Sequence, residues 1–232
     1  MKYVLEIIDD LFFANIDDGL YLLDTASPYT FVKSGKIKIN GKEFINSKLK
    51  SVLNDRILKI SERIEKNVYG IIGLDVIKEN GMTIDKKNKE VLFKVLDLKG
   101  KEFVFDFIKK ELYEYMLLSF NTYGLNPYGI RKYVLDSGIS DSIFDLDVCI
   151  HSQYAYRRDI YYLALDSLYT NDFVFEELNQ KEDKLYIEAS MNYDKTLTSQ
   201  LEFVGASGLL SLNKCFKNHL VININNNSII LD

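Results

Sequence analysis

The sequence contains few of the residues on which many kinds of functional site depend. Its 232 residues include no tryptophan, and its only cysteines and histidines are Cys149, Cys215, His151 and His219. Two cysteines are too few for a disulfide-stabilised scaffold, and with two histidines they leave little from which to build a zinc site. We therefore expect no metal and no cofactor, and hydrolytic chemistry in this chain would rest on carboxylates.

An excess of positive charge is also missing. The 29 Lys and Arg residues are outnumbered by 34 Asp and Glu residues, which gives a formal net charge of −5, and no long basic run occurs. Nucleic-acid backbones are bound chiefly by clustered basic residues. We therefore expect no nucleic-acid partner.

Long uninterrupted apolar segments are absent as well. A membrane-spanning helix needs about 20 consecutive apolar residues, and charged residues interrupt every apolar run. The chain starts like a signal peptide, but Glu6, Asp9 and Asp10 follow too early for an apolar core of the usual length. We interpret this start as the first strand of a cytoplasmic protein that has no membrane partner.

The rest of the composition is that of an ordinary folded protein, with 47% hydrophobic residues. Short β-branched and aromatic runs bounded by turn residues predict an all-β fold with a few short helices. Asn40 and Gly41 separate two such runs and predict a hairpin with a type I′ turn, because both residues tolerate a positive φ. The predicted strands are Tyr3–Ile8, Gly19–Asp24, Lys36–Phe44, Thr83–Phe93, Phe103–Phe107, Met116–Thr122, Lys132–Asp136 and Leu220–Leu231.

Helical patterns are fewer. Asp75–Glu79 and Asn213–Lys217 predict short helices, and the apolar residues of Tyr156–Leu168 lie near helical spacing. Residues 48–66 give no single prediction. Lys48–Ile57 is compatible with a helix and Ile57–Ile64 with a strand, and we interpret the charged residues of this stretch as a solvated face.

The chain repeats itself in two places. Residues 2–27 align without gaps with residues 114–139 at an offset of 112, and residues 70–93 align with residues 208–231 at an offset of 138. Two matches in the same order favour duplication over chance similarity. The offsets differ by 26 residues, which predicts an insertion of that size between the two motifs of the second copy.

The duplication predicts two lobes, over residues 1–100 and 101–232. Asp24 and Asp136 follow an apolar strand in equivalent positions of these lobes. When two carboxylates lie close together, one keeps its proton while the other is ionised. The ionised member acts as a general base towards a water molecule, and the protonated member hydrogen-bonds the carbonyl group under attack.

The residues after each aspartate suit such a pair. Thr25 and Ala26 follow the first aspartate, and Ser137 and Gly138 follow the second. A hydroxyl group in this position can hydrogen-bond across the junction of the lobes. A small residue next to it lets a backbone N–H approach the carboxylate.

Four segments together resemble the pepsin/retropepsin superfamily of aspartic peptidases. Leu22–Ser27 and Val134–Gly138 match the aspartate motif, and Gly70–Gly73 and Gly208–Ser211 match its downstream hydrophobic-hydrophobic-Gly partner. The resemblance covers about half of the chain and implies a bilobal, pseudo-twofold acid-protease fold made of two fused retropepsin-like lobes. It implies a monomeric endopeptidase that binds an extended polypeptide between its lobes, partly as an added strand.

The resemblance also implies roles for single residues. Asp24 and Asp136 would form the catalytic dyad, and Thr25 and Ser137 would interlock their loops. Ser27 would hydrogen-bond the first aspartate from behind. The hairpin at the Asn-Gly turn would occupy the place of the flap over the cleft.

Four departures from the family pattern leave an alternative open. Ala26 and Ser211 replace glycines, Ile139 replaces a small or hydroxyl residue, and no tyrosine lies between residues 30 and 68, where pepsin-like enzymes carry one on the flap. The alternative is a peptide-binding or regulatory module of the same fold with little or no catalysis. A β-rich structural protein without a cleft is a third hypothesis.

Other reactive residues have simpler interpretations. Cys149 and Cys215 are interpreted as buried apolar thiols, which disfavours a nucleophile formed by Cys149 and His151. The aromatic cluster over Tyr154–Tyr162 fits the core or the lining of a peptide pocket. The acids interpreted as helix caps or surface residues are Asp75, Asp85 and Asp141.

Overall fold

The structure is a computed structural model that describes residues 1–46, 50–111, 113–122, 129–145, 155–162, 167–192 and 194–232. Most of these residues lie in β-strands, which confirms the all-β class. Within these ranges, each helix is too short or too polar to cross a membrane.

Strands dominate the N-terminal half, residues 1–100. Its helices are α1 (Lys50–Arg63) and α2 (Leu74–Asn80). Its strands are β1 (Lys2–Ile8), β2 (Leu11–Ile16), β3 (Gly19–Leu23), β4 (Phe31–Val32), β5 (Lys36–Ile39), β6 (Lys42–Ile45), β7 (Val68–Ile72), β8 (Met82–Asp85) and β9 (Glu90–Leu92).

The C-terminal half, residues 101–232, has longer strands. Helix α3 covers Lys195–Val204, and a 3-10 turn covers Leu212–Lys214. The strands are β10 (Lys101–Lys110), β11 (Tyr113–Thr122), β12 (Gly129–Asp136), β13 (Ser142–Asp145), β14 (Ala155–Tyr162), β15 (Ser167–Gln180), β16 (Asp183–Asn192), β17 (Gly208–Ser211), β18 (His219–Asn223) and β19 (Ser228–Leu231).

Both halves contain the same mixture of parallel and antiparallel pairing. Strand β3 runs parallel to β7, with Leu22 opposite Ile71, and β12 runs parallel to β17, with Val134 opposite Leu209. Strands β4 and β13 then pair antiparallel with β7 and β17. The paired residues of the two halves are separated by the same offsets, 112 and 138, that the sequence repeat shows.

The first alignment of the repeat is nevertheless wrong over its initial part. Strands β1 and β10 pair with β9 and β19 in the same manner, so β1 corresponds to β10. The ungapped alignment placed Tyr3 of β1 against Tyr115 of β11. The connection between β11 and β12 is longer than the two-residue turn between β2 and β3, so the alignment holds only from β3 onwards.

One set of hydrogen-bonded strands joins the halves. Strand β8 pairs with β18, and β10 pairs with β19. The main sheet closes on itself, and β5 and β6 form a separate two-stranded sheet. Lys86 of the first half adds hydrogen bonds to the carbonyl groups of Asn213 and Phe216 in the second. The halves are therefore connected by backbone hydrogen bonds as well as by the chain.

Three hydrophobic clusters fill the interior of the described part of the chain. The largest contains residues of both halves, such as Phe12 and Tyr133. A second lies beneath α1 and a third beneath α3. Ile57 and Ile60 of α1, and Ile64 directly after it, are all buried in the second cluster. Their spacing is that of one helix face, so the strand predicted over these residues is wrong.

The helical interpretation of Tyr156–Leu168 is also wrong. The segment from Tyr156 belongs to β14, which pairs antiparallel with β15 and places Tyr156 opposite Phe173 and Ile160 opposite Tyr169. Aromatic and β-branched residues favour a strand once a neighbouring strand supplies cross-strand partners. Cys149, His151 and Tyr154 lie outside the described residues, as do the side chains of β14.

The predicted hairpin is present. Ile39 of β5 lies opposite Lys42 of β6, and φ is +49° at Asn40 and +86° at Gly41. Both turn residues therefore have the positive φ that a type I′ turn requires. Helix α2 and the 3-10 turn occupy the places of the two predicted short helices.

Candidate active site

The two candidate aspartates lie at the ends of the equivalent strands β3 and β12. Asp24 follows β3, and its N–H donates to the carbonyl group of Ile72 in β7 at 3.0 Å. Asp136 ends β12 and lies opposite Ser211 of β17. Each aspartate is thus held beside the parallel partner of its own strand.

The two carboxyl groups lie close together. A Cβ atom on Gly138, whose N–H bonds Asp136, would lie 2.5 Å from Cγ of Asp24, and the two aspartates are 1% and 5% exposed. Burial and then the charge of Asp24 raise the pKa of Asp136 to about 8. At neutral pH Asp136 therefore keeps its proton.

Thr25 and Ser137 join the two loops by reciprocal hydrogen bonds. The hydroxyl of Thr25 donates to the carbonyl of Leu135 at 2.9 Å and accepts from the N–H of Ser137 at 3.0 Å. The hydroxyl of Ser137 donates to the carbonyl of Leu23 at 2.8 Å and accepts from the N–H of Thr25 at 3.0 Å. Both hydroxyl residues are fully buried, so they fix the separation of the neighbouring aspartates.

Backbone N–H groups hold both carboxyl groups in place. The N–H groups of Ala26 and Ser27 donate to Oδ1 of Asp24 at 3.1 and 2.9 Å. The N–H of Gly138 donates to Oδ1 of Asp136 at 2.7 Å. Hydrogen bonds donated to a carboxylate favour its charged form, so this arrangement favours ionisation of the first aspartate over the second.

Ser27 contributes differently from the expectation. Its backbone N–H bonds Asp24, whereas its hydroxyl donates to the carbonyl of Tyr29 at 3.0 Å. Ile139 is the equivalent residue of the second half and is buried. The hydroxyl that Ile139 lacks therefore corresponds to a bond with the Tyr29 carbonyl in the first loop and not to a bond with Asp24.

The small residues next to the aspartates differ in their surroundings. A Cβ atom on Gly138 would lie 2.5 Å from Cγ of Asp24, so a larger residue would displace that carboxyl group. Ala26 occupies the equivalent position and packs against the hydrophobic cluster beneath α3. The second loop therefore requires glycine, and the first accommodates a methyl group.

The hydrophobic-hydrophobic-Gly element also differs between the halves. A Cβ atom on Gly73 would lie 2.5–2.7 Å from backbone atoms of Tyr29 and Ser27. Ser211, which replaces this glycine in the second half, has room for its side chain and donates a hydrogen bond to the carbonyl of Ile139 at 2.9 Å. The departure at Ser211 therefore satisfies a buried carbonyl group.

Two further hydroxyl groups behind the loops were missed in the sequence. The hydroxyl of Thr30 accepts from the N–H of Gly73 at 3.0 Å, and the hydroxyl of Ser142 accepts from the N–H of Ser211 at 3.0 Å. Thr30 and Ser142 are related by the offset of 112. Extending the first alignment by three residues would have found them.

Arg56 of α1 also contacts the candidate dyad and was not expected. Its Nη2 lies 3.2 Å from Oδ2 of Asp24, and its side chain is 27% exposed. Against the effects of burial and of Asp24, its charge lowers the pKa of Asp136. Its Nε is buried and has no hydrogen-bond partner among the described residues, which typically costs ~1–3 kcal/mol. The sequence signal that could have found Arg56 is its spacing of four residues from Ile60, which places both on the same face of one helix.

The hairpin of β5 and β6, which the resemblance would place over the cleft, is anchored at its turn. The N–H of Asn40 donates to the hydroxyl of Tyr3 at 3.4 Å, and its side-chain amide donates to the carbonyl of Phe93 at 2.7 Å. Ile37 and Ile39 are buried in the largest cluster. These contacts tie the turn to the sheet of the first half, whereas α1 supplies the contact with Asp24.

The three aspartates that were interpreted as caps or surface residues, and the described cysteine, have structural partners. Asp75 accepts from the N–H and hydroxyl of Thr30 at 2.8 and 2.7 Å, which ties the first loop to α2. Asp85 accepts from Asn88 in the turn between β8 and β9, and Asp141 pairs with Lys214. Burial raises the pKa of the Cys215 thiol to about 12, so it is protonated and a poor nucleophile.

The site therefore consists of carboxyl, hydroxyl, guanidinium and backbone groups. In the described part of the chain, no group of three or more His, Cys, Asp or Glu side chains converges so that it could hold a metal ion. A pair of carboxyl groups with one proton can deprotonate a water molecule and protonate a carbonyl oxygen in the same reaction.

Comparison with known proteins gives no family assignment. No protein-family model matches this sequence, and no curated protein matches it significantly.

Proposed function

We propose that this protein is an aspartic-type endopeptidase with a bilobal, pepsin-like fold, whose lobes cover residues 1–100 and 101–232. Asp24 and Asp136 form its catalytic dyad. The observation that carries the proposal is the close approach of these two buried aspartates, one of which, Asp136, has a pKa raised to about 8. The equivalent strand pairings of the halves and the reciprocal bonds of Thr25 and Ser137 support it.

In the proposed reaction, the ionised aspartate removes a proton from a water molecule, and the water oxygen attacks the carbonyl carbon of a peptide bond. The protonated aspartate transfers its proton to the carbonyl oxygen, which produces a neutral tetrahedral intermediate. Breaking of the C–N bond then returns one proton to the dyad, while the leaving amine takes another. The dyad ends the cycle with the single proton with which it began.

The proposed substrate is a polypeptide in extended conformation between the lobes. An extended peptide can bond to the edge of a sheet through its backbone, which gives affinity with little dependence on sequence. Because both aspartates belong to one chain, a monomer contains the complete site.

Substitution of either aspartate tests the proposed function. The wild-type protein should cleave an unstructured polypeptide between about pH 3.5 and 7, and Asp24→Asn and Asp136→Asn should each reduce the rate by at least about a thousandfold. The exposed Asp97 offers a matched control, since Asp97→Asn removes one carboxylate elsewhere. Cleavage that survives in either dyad variant would contradict the proposal.

The second candidate function is a peptide-binding or regulatory module, and two observations favour it. The guanidinium group of Arg56 contacts the carboxyl group of Asp24, and Ala26 places a methyl group in the first loop. The variant Ala26→Gly discriminates between the functions. A higher cleavage rate in this variant supports an enzyme. If the wild type and the variant both fail to cleave peptides but still bind them, the module is supported.

A further inference from the structure

Both oxygens of Asp24 are occupied by the protein. Oδ1 accepts from the N–H groups of Ala26 and Ser27, and Oδ2 lies 3.2 Å from Nη2 of Arg56. A water molecule that loses its proton to this carboxylate must hydrogen-bond one of these oxygens. Since the backbone of the loop fixes Oδ1, the oxygen available to water is the one that Arg56 contacts.

Arg56 is the more exposed member of its pair with Asp24. The side chain of Asp24 is 2% exposed, and that of Arg56 is 27% exposed. A peptide carbonyl and a water molecule must both reach the dyad during the proposed reaction. Because the guanidinium group lies 3.2 Å from Oδ2 of Asp24, it must move before a water molecule can take its place at that oxygen.

The rest of α1 is fixed to the first half of the protein. Ile57 and Ile60 are fully buried, and the hydroxyl of Ser61 accepts from the N–H of Val68 in β7 at 3.0 Å. Withdrawal of Arg56 therefore requires rotation of a long side chain and no movement of the helix. Because its buried Nε has no partner among the described residues, rotation into water would restore a hydrogen bond to that group.

The helix that precedes β17 in the second half, α3, contains no arginine. Helix α3 precedes β17 as α1 precedes β7, and its buried residues are Leu197, Leu201 and Val204. The fold therefore does not require a basic residue here, and the contact is specific to Asp24.

We propose that Arg56 is an autoinhibitory latch of the dyad. Its guanidinium group occupies the oxygen of Asp24 that the reacting water needs, and a polypeptide substrate binds only when it displaces this group. The latch regulates the proposed peptidase site and rests on that function. A latch of this kind lowers the fraction of molecules that are ready to bind, so it raises KM and leaves kcat unchanged.

Steady-state kinetics of Arg56 variants test the latch. Arg56→Gln should lower KM by about tenfold and change kcat by less than about twofold. Arg56→Lys keeps the charge and should keep most of the inhibition, and Arg63→Gln removes an arginine of the same helix that pairs with Asp9 and should change neither constant. An unchanged KM would overturn the latch, and a fall in kcat would make Arg56 a positioning residue instead.

A measurement without substrate separates the latch from the peptidase function. A small epoxide forms an ester with an ionised, accessible carboxylate, and mass spectrometry of the digested protein locates the ester. Esterification of Asp24 should be about tenfold faster in Arg56→Gln than in the wild type, and Arg63→Gln should match the wild type. If neither the wild type nor any variant cleaves peptides, the proposed function fails. The esterification rate of Asp24 then decides by itself whether Arg56 blocks access to this carboxylate.

Equal esterification rates would overturn the latch even if all variants are active peptidases. Urea unfolding of each variant shows whether it folds. If Arg56→Gln does not fold, Arg56→Leu removes the same charge with an apolar side chain and is expected to show the same lower KM and faster esterification.

Discussion

Individual residues make the two aspartates unequal. Asp24 accepts two backbone hydrogen bonds, from Ala26 and Ser27, whereas Asp136 accepts one, from Gly138. Donors and positive charge stabilise a carboxylate, and burial without them stabilises the acid. We therefore expect Asp24 to be the general base and Asp136 to carry the proton.

Asp136 should make the stability of the protein depend on pH. Its pKa is raised to about 8 in the folded protein, whereas an unfolded aspartate has a pKa of about 3.9. Between these values the folded chain binds one more proton than the unfolded chain, so stability should fall as pH rises from about 4 to about 8. Asp136→Asn keeps the shape of the side chain but does not titrate. We therefore expect a flatter dependence of the unfolding free energy on pH and ~1–3 kcal/mol more stability near pH 7.

Urea unfolding at about pH 5 and about pH 7.5 measures this slope. Asp97→Asn, which alters an exposed carboxylate, is the matched control and should retain the wild-type slope. If Asp136→Asn and the wild type lose the same stability between the two pH values, Asp136 is not a buried acid.

Gly138 should tolerate no side chain. Its missing Cβ would lie 2.5 Å from Cγ of Asp24, so Gly138→Ala should displace that carboxyl group. We expect at least about a hundredfold loss of cleavage and a destabilisation of ~1–3 kcal/mol. The reciprocal change Ala26→Gly deletes one packed methyl group and should cost only about 1 kcal/mol of stability. Full activity of Gly138→Ala in a cleavage assay would disprove the close approach.

Among the structural elements, the two aspartate loops depend most on each other. Thr25→Val keeps the shape of the side chain but leaves the carbonyl of Leu135 and the N–H of Ser137 without their partner. We expect a loss of ~2–4 kcal/mol of unfolding free energy. Thr25→Ser retains the hydroxyl and should lose ~1 kcal/mol at most. Equal losses for both variants in urea unfolding would show that the methyl group, and not the hydroxyl, matters.

Elements with a local signal could be predicted from the sequence. The Asn40-Gly41 turn carries its own geometry, and the aspartate loops could be located because they are duplicated. The register of α1 could not be settled, since Ile57, Ile60 and Ile64 fit a helix only once the cluster beneath it is known. The role of Arg56 depends on that register, which is why the sequence did not reveal it.

Non-local pairings were harder to predict. The alignment of Tyr3 with Tyr115 failed because only strand pairing shows that β1 corresponds to β10. The additional residues of the second half lie between β13 and β17, where β14, β15, β16 and α3 occupy the place of β5, β6 and α1. The offsets predicted that an insertion exists, but its strand structure depends on cross-strand partners that a local pattern does not contain.

The whole molecule should unfold as one unit. Strands β8 and β10 pair with β18 and β19 across the halves, and the largest hydrophobic cluster contains residues of both. Neither half can therefore lose its structure without exposing the core of the other. We expect a single thermal transition with equal midpoints by circular dichroism and by tyrosine fluorescence, which no tryptophan obscures. Two separate transitions would show that the halves are independent.

The most direct test is a carbon-13 NMR titration of the aspartate carboxyl groups. We expect one carboxyl resonance to titrate near pH 8. This resonance should be absent from Asp136→Asn, and in Asp24→Asn it should titrate at a lower pH because the neighbouring charge is gone. If instead both dyad carboxyl groups titrate independently near pH 4, as isolated aspartates do, they do not share a proton and do not form a catalytic pair.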